Sequence, residues 1–313
     1  MPFIFRIHNG AYQEKCAVHW RRELDIEPHR HDELNFLATA VAYADKINTV
    51  SRGYRDELMQ EPQAAGLSAL YQQRAADFIG ILNGCDYAIW HPATDIHLPA
   101  NYDADNLGGK AQCKAAIRTQ LELAPGKAPL FVAVSRLTGQ KGYDYLIPAL
   151  NLWLSTTEAQ VVVMGTGEGR YCRALEQLQQ QYPDQFRFVQ GFSDGMAHQL
   201  EAAGDFFLMP SLFEPCGLNQ LYSLRYGTLP VVHAVGGLRD TVFEQQGEAV
   251  DEHANGFVFE HPTPELLFAA IERALATYEH PARWKQLQLN AMSKDFSWDL
   301  SAQQYVAIYD KLA

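Results

Sequence analysis

Three stretches of this sequence carry residue types that could hold an anionic ligand. The longest runs from Pro210 to Val242, PSLFEPCGLNQLYSLRYGTLPVVHAVGGLRDTV. It follows a strand end, carries one carboxylate, Glu214, in its loop, and enters a helix near Gly217. A helix start presents unpaired backbone N–H groups and a positive dipole end, a seat for a diphosphate. Gly217 lets the chain approach such a ligand with no side chain in the way. Gly236-Gly237 repeats the arrangement at the next strand end. Glycines at strand–helix turns also serve plain tight turns, so spacing alone leaves both uses open. The second stretch, Val134 to Gly142 (VSRLTGQKG), projects Arg136 and Lys141 from another strand end. A guanidinium grips two phosphate oxygens at once, whereas an ammonium acts as a point charge. A solvated loop has the same composition. The third is Asn83-Gly84-Cys85-Asp86-Tyr87 with Trp90, Pro92, Thr94 and Asp95 close behind. Asn-Gly is also a common turn dipeptide.

These loops need strands and helices to position them, and the chain provides them from about residue 128 onward. Leu130 to Val134 is a continuous apolar run, as expected of a strand buried on both faces. Tyr143, Leu146, Ile147, Leu150 and Leu154 then recur at helical spacing, with Pro148 near enough to the helix start to be tolerated. The alternation continues with strands at Val161–Met164, Phe186–Val189, Phe206–Met209 and Pro230–His233. The intervening helices are Tyr171–Gln181, Met196–Ala203 and one from about Gly217. Five strands with crossover helices predict a parallel, doubly wound sheet, which binds ligands at the carboxyl ends of its strands. The first ninety residues read as a smaller βαβ-like unit. Phe3–Ile7 and Ile47–Val50 are strands, Leu34, Leu37, Val41 and Ala44 mark one helix face, and Leu67–Arg74 is a further helix. Ala302, Tyr305, Val306, Tyr309 and Leu312 mark a final amphipathic helix.

Bulk properties narrow the function classes. With 313 residues, 47% hydrophobic and 20% charged, the chain suits two domains or one large one with a sizeable core. Its apolar runs are too short to span a bilayer, and no secretory signal opens it. The five cysteines, Cys16, Cys85, Cys113, Cys172 and Cys216, form no Cys-x-x-Cys pair, which fits a reduced, cytoplasmic protein. A formal charge of −12 argues against nucleic acid as the main partner.

Taken together, the three stretches resemble the bacterial glycogen synthases and plant starch synthases, glycosyltransferases of family 5 with GT-B architecture. That family shows V-S-R-L-T-x-Q-K-G, N-G-x-D-x-x-x-W-x-P-x-T-D, and F-E-P-C-G-L-x-Q-L-Y leading to Y-G-T-x-P and G-G-L-x-D-T-V, and all stand here in family order. His8-Asn9-Gly10-Ala11-Tyr12-Gln13 is similar to its H-N-x-A-Y-Q, and Phe296-Ser297-Trp298 to its late F-S-W. The sucrose-synthase type carries a second glutamate eight positions after the first; here Tyr222 stands there. Asp103-Ala104-Asp105 fits the metal-holding string of GT-A enzymes but lies in a loop after Thr94-Asp95, and reads as a chance match. Leu212 stands where many members have Arg, and Gly10 where many have Leu.

The resemblance implies retaining transfer of glucose from ADP-glucose to the non-reducing end of an α-1,4-glucan, with no metal and no cofactor beyond the donor. It implies that Arg136 and Lys141 neutralise the leaving diphosphate, the electrostatic term expected to dominate. Glu214 would bind the donor sugar and stabilise an oxocarbenium-like centre. Backbone N–H groups of Cys216, Gly217 and Leu218 would meet sugar or phosphate, as would Gly236, Gly237 and Thr241. His8 and Asn83 would bind the glucose from the opposite wall. Gly165-Thr166-Gly167 resembles the family's G-T-G and is expected to form a turn near the nucleotide; with Arg170 at the third glycine position it is not the dinucleotide fingerprint.

The expected organisation is a partial acceptor-side domain over 1–92, a nucleotide-sugar-binding Rossmann-like domain over 93–294, and a C-terminal helix over 295–313 packing back toward the first. The family opens with a lysine-containing K-x-G-G-L loop, and no such string precedes His8. The reading is therefore of an N-terminally truncated synthase whose activity would belong to the complete protein, or to this chain together with a complementary N-terminal one. The alternative is a non-catalytic module that holds ADP-glucose or glucan. ADP- and UDP-glucose are not separable at this stage. Partners are expected to be the donor and the glucan, with neither nucleic acid nor membrane, and the location cytoplasmic, or plastid in a plant.

Overall fold

A computed structural model of the chain describes residues 2–17, 19, 34–245 and 251–312. The larger sheet has six parallel strands: β6 (Leu130–Val134), β7 (Gln160–Gly165), β8 (Phe186–Gln190), β9 (Phe206–Met209), β10 (Leu229–His233) and β11 (Phe257–Phe259). Strands β6, β7, β9 and β10 are buried at every residue, which is why they are near-continuous apolar runs, polar only at Gln160 and His233 at strand ends, rather than alternating. The spatial order is β11-β10-β9-β6-β7-β8, so the winding reverses between β6 and β9. That reversal opens a crevice beyond the carboxyl ends of these two strands, and the loops following them are the two carrying Arg136, Lys141 and Glu214.

Five of these strands match the periodicity to within a residue or two. The sixth, β11, escapes it because it is only three residues long. The helix Gly108–Gln120 and the pair Pro264–Tyr278 and Pro281–Ser293 also went unread; the last two each begin on a proline, a regular helix opener. Two apolar clusters form on the two faces of the sheet, one centred on Phe131, Trp153 and Phe206, the other on Val132, Phe207 and Tyr226.

The smaller sheet is also parallel: β1 (Ile4–Ile7), β4 (Lys46–Thr49) and β5 (Phe78–Gly80), with β4 in the middle. A two-stranded antiparallel ribbon, β2 (Lys15–Cys16) with β3 (Leu34–Asn35), adjoins it. Leu34, expected on a helix face, belongs to β3, and the helix starts at Phe36 with Asn35 as its cap, whose side chain accepts from Ala38 N–H.

The two sheets meet through polar contacts at their carboxyl ends. Ser51 donates to the Pro215 carbonyl at 2.5 Å, Gly53 N–H to Asp240 at 2.9 Å, and Gly236 N–H to Glu57 at 2.6 Å. The Cys216 side chain is buried within the apolar cluster of the smaller unit. The helix Trp298–Asp310 also lies against that unit: Ser301 donates to the Leu82 carbonyl, and Asn48 to the Tyr305 hydroxyl at 3.1 Å. Its buried face corrects the expected stripe. Ser301 and Ile308 are buried, whereas Val306 and Tyr309 are 54% and 56% exposed. The packing angle is set by the polar bonds of Ser301 and Tyr305, which rotate the helix away from its most apolar line.

Candidate functional site

A cavity of about 440 Å³ opens at the switch between β6 and β9, lined by residues of both loops and of the helices behind them. Of the residues proposed from sequence, Arg136, Lys141, Glu214, Gly217 and Leu218 line it. Lys141 Nζ lies 2.5 Å from Glu214 Oε2, and both side chains are largely buried. Ser211 donates to the same carboxylate oxygen at 2.9 Å. Arg136 is exposed and reaches Gln140 at 3.4 Å, so its guanidinium remains free to turn toward an anion.

The two loops are held together by their own backbone. Leu212 N–H donates to the Gln140 carbonyl at 2.8 Å, and Gln140 Nε2 to the Phe213 carbonyl at 3.2 Å. Asn219 Nδ2 donates to the carbonyl of Val134 at the end of β6. Gly217 takes φ +72°, a conformation that favours glycine, at the point where the Glu214 loop turns into the helix Asn219–Arg225. Among the described residues, the backbone N–H groups of Cys216, Gly217 and Leu218 have no backbone or side-chain oxygen acceptor. The turn Gly165-Thr166-Gly167 braces the Arg136 loop from the other side, with Leu137 N–H donating to the Thr166 carbonyl at 2.9 Å.

The remaining sequence candidates lie outside the cavity lining. Gly236 and Gly237, expected as a second anion seat, have their N–H groups occupied by Glu57 and by the Glu214 carbonyl. Thr241 is fully buried, with its hydroxyl donating to the Gly237 carbonyl at 2.7 Å. Asn83 accepts from Arg6. Its backbone faces the Cys216 thiol, which burial pushes up to about 11. His8 is largely exposed at the carboxyl end of β1, and the partial desolvation it does undergo, together with the nearby Arg6 charge, lowers its pKa. Asp103 caps a turn, accepting from the N–H groups of Asp105 and Asn106.

Sequence reasoning passed over the aromatic wall. The Trp90 ring lies parallel between Tyr222, 3.9 Å away, and His198, 3.7 Å away. Trp90 and Tyr222 line the cavity, and Phe192 joins them. In the sequence Trp90 is one letter of a motif and Tyr222 the absence of a glutamate. Neither position signals a stacked plane beside a cation pair until the chain folds.

Glu201, also at the cavity, is fully buried and accepts from Ser223 at 2.7 Å. Burial pushes its carboxyl up to about 8. The folded chain therefore keeps a proton that the unfolded chain releases near the usual carboxylate range, so this group's stabilising contribution is full in acid and is lost as pH rises toward 8. Glu201→Gln should become progressively more stable than the wild type between pH 5 and 7, by up to about 1.4 kcal/mol per pH unit. Urea unfolding of both proteins across that range checks it; a pH-independent difference would sink the neutral-carboxyl assignment.

Comparison with known proteins agrees with this geometry. Residues 117–288 match the family "Glycosyl transferases group 1", and residues 1–73 match the "Starch synthase catalytic domain". Glycogen synthase of Aeromonas salmonicida is 46% identical over 322 residues, covering 99% of this chain, and that of Cellvibrio japonicus is 46% identical over 318. The chain spans 65% of the length of the Aeromonas relative. Among solved structures, the catalytic domain of starch synthase IV from Arabidopsis thaliana, bound to ADP and acarbose, superposes with a TM-score of 0.91 at 32% identity, over 99% of this chain and 66% of that one. Sucrose-phosphate synthase from Thermosynechococcus elongatus, at 23% identity and TM-score 0.61, shares the fold. By sequence, by fold and by the loops gathered at the switch point, this chain belongs to the group 1 glycosyl transferases.

Proposed function

We propose that the cavity at the β6–β9 switch binds the nucleotide-sugar donor, and that the chain carries the donor half of a retaining glucosyltransferase. The substrates would be ADP-glucose and the non-reducing end of an α-1,4-glucan. The observation that carries this reading is the convergence of Arg136, Lys141 and Glu214 on one cavity beside a flat aromatic wall. A diphosphate needs two cations and N–H donors, and a glucosyl cation needs a carboxylate nearby; all are within this one crevice. A related starch synthase holding ADP adds weight to the adenosine donor.

In this reading the Lys141–Glu214 pair is the resting state. A bound diphosphate draws Lys141 away, and the freed Glu214 carboxylate faces the sugar. Arg136 and Lys141 then hold the negative charge that grows on the leaving oxygen as the glycosidic bond breaks, a role that calls for no metal or further cofactor. The unpaired N–H groups at Cys216, Gly217 and Leu218 supply fixed dipoles at the same place.

The test measures ADP and UDP binding by calorimetry, then transfer from labelled ADP-glucose to glycogen, for the chain and for Glu214→Ala. Expected results are ADP binding tighter than UDP and, once a complementary N-terminal chain is supplied, incorporation that depends on Glu214. Absence of binding by either nucleotide would overturn the donor assignment. Binding with no transfer would leave a donor-holding module.

A further inference from the structure

A second cluster lies behind the aromatic wall, and neither the donor site nor its loops use it. Asp194 and His198 stand four residues apart on the helix Asp194–Ala203 and so share a face. His97 comes to them from the loop after Pro92. One ligand atom from each of the three lies within 4.8 Å of the others, and His97 Nε2 is 3.9 Å from Asp194 Oδ2.

The decisive group is His198, only 1% exposed. Its Nδ1 is 2.7 Å from Asp95 Oδ2, an oxygen that also accepts from the Tyr226 hydroxyl at 2.6 Å. Since that carboxylate accepts, Nδ1 carries the proton and Nε2 keeps its lone pair. Among the described residues Nε2 is buried with no hydrogen-bond partner, an orphan that folded proteins rarely tolerate without a use. Asp95 Oδ1 also accepts the His97 N–H at 2.9 Å, so one carboxylate sets the tautomer of one histidine and the backbone position of the other. A carboxylate on the far nitrogen of a ligating imidazole is how metal sites fix ring orientation and raise ligand basicity.

We propose that His198 Nε2, His97 and the Asp194 carboxylate form a site for a divalent cation of borderline softness, Zn²⁺ foremost, with water as the fourth ligand. Two imidazoles and a carboxylate are a donor set for this class of ion rather than for Mg²⁺ or Ca²⁺, which take oxygen. Tetrahedral zinc holds its donors about 3.3 Å apart. The contraction from the observed spacing falls to His97 and Asp194, whose side chains are 36% and 69% exposed and free to rotate, while His198 stays fixed. The same exposure gives the ion its route in.

The site bears on the cavity through one contact: the opposite face of Trp90 rests on the His198 ring. Fixing His198 on a metal would fix the wall against which the cavity is built. Metal binding at this cluster is independent of glucosyl transfer.

The experiment strips the purified chain with chelator and titrates it with Zn²⁺ and Co²⁺, following melting temperature and the visible absorption of bound Co²⁺. One equivalent should bind, raise the melting temperature, and give the intense d–d bands of a four-coordinate Co²⁺ centre. His97→Ala and Asp194→Ala, both substitutions of partly exposed side chains, should each weaken binding by at least about 10-fold while the metal-free variants melt with the wild type. No stoichiometric uptake, or uptake of equal affinity in both variants, as cysteines or surface histidines would produce, overturns the site.

Discussion

Gly142→Ala is expected to cost the folded chain about 3 kcal/mol or more, and to lower its melting temperature by roughly 5 °C. Gly142 takes φ +77° where the Arg136–Lys141 loop enters the helix Tyr143–Leu154. A methyl group there meets the Pro210 carbonyl oxygen well inside van der Waals contact. Two penalties combine: a left-handed backbone for a residue with a Cβ, and displacement of one loop from the other. Gly66→Ala separates them. Gly66 has φ +88° but, among the described residues, nothing within 4 Å of an added Cβ, so that variant should lose only about 1 kcal/mol. Thermal denaturation of the two variants side by side checks the argument. Equal losses would mean that the close approach of the two loops carries no stability.

The functional consequence follows from what Gly142 presses together. Tyr145 donates to the same Pro210 carbonyl, so that oxygen is the anchor on which the Lys141 loop is set against the Glu214 loop. A shift of even an ångström there opens the 2.5 Å Lys141–Glu214 pair. Such misplacement commonly costs on the order of 100-fold in rate.

Lys141→Met is expected to lower glucosyl transfer by about 10²–10³-fold, with ADP binding weakened by roughly 10-fold. The larger effect falls on rate because the charge that Lys141 meets is greatest when the diphosphate leaves. Stability gives an independent reading. The Lys141 and Glu214 side chains are 18% and 10% exposed, so removing one leaves the other poorly solvated and uncompensated. Breaking such a pair costs about 1–3 kcal/mol in this partly open position. Lys141→Met combined with Glu214→Gln removes both charges and should recover most of that stability without recovering ADP binding. Calorimetry and chemical denaturation of the two single variants and the double one distinguish these effects. Full stability in both single variants would mean that the pair is solvated and idle, and unchanged ADP affinity would remove Lys141 from the donor site.

Much of this protein is determined locally, and the sequence shows it. Runs such as Leu130–Val134 and Phe206–Met209 are apolar because both their faces are buried, and the helices between them repeat at 3.6 residues. Strand type, crossover pattern and the charged loops at strand ends therefore follow from near neighbours along the chain. The glutamate, lysine and arginine of the candidate site were legible for that reason. The buried part of the final helix was not, because two polar bonds to Leu82 and Asn48, more than 200 residues away, set its rotation.

Tertiary structure alone decided how distant residues pair. Lys141 meets Glu214 across 73 residues, and Asp95 meets His198 across 103. No period in the sequence relates such positions; the sheet's reversal between β6 and β9 does, together with the loops that lie on it. The same cause explains why Gly236, Gly237 and Thr241 look like ligand contacts in one dimension, whereas folding has already turned their hydrogen-bonding groups onto Glu57, the Glu214 carbonyl and each other. A motif states which groups are available, and the packing determines which of them remain unpaired: for Thr241 the hydroxyl is used up within its own helix, and for His198 one ring nitrogen is left over.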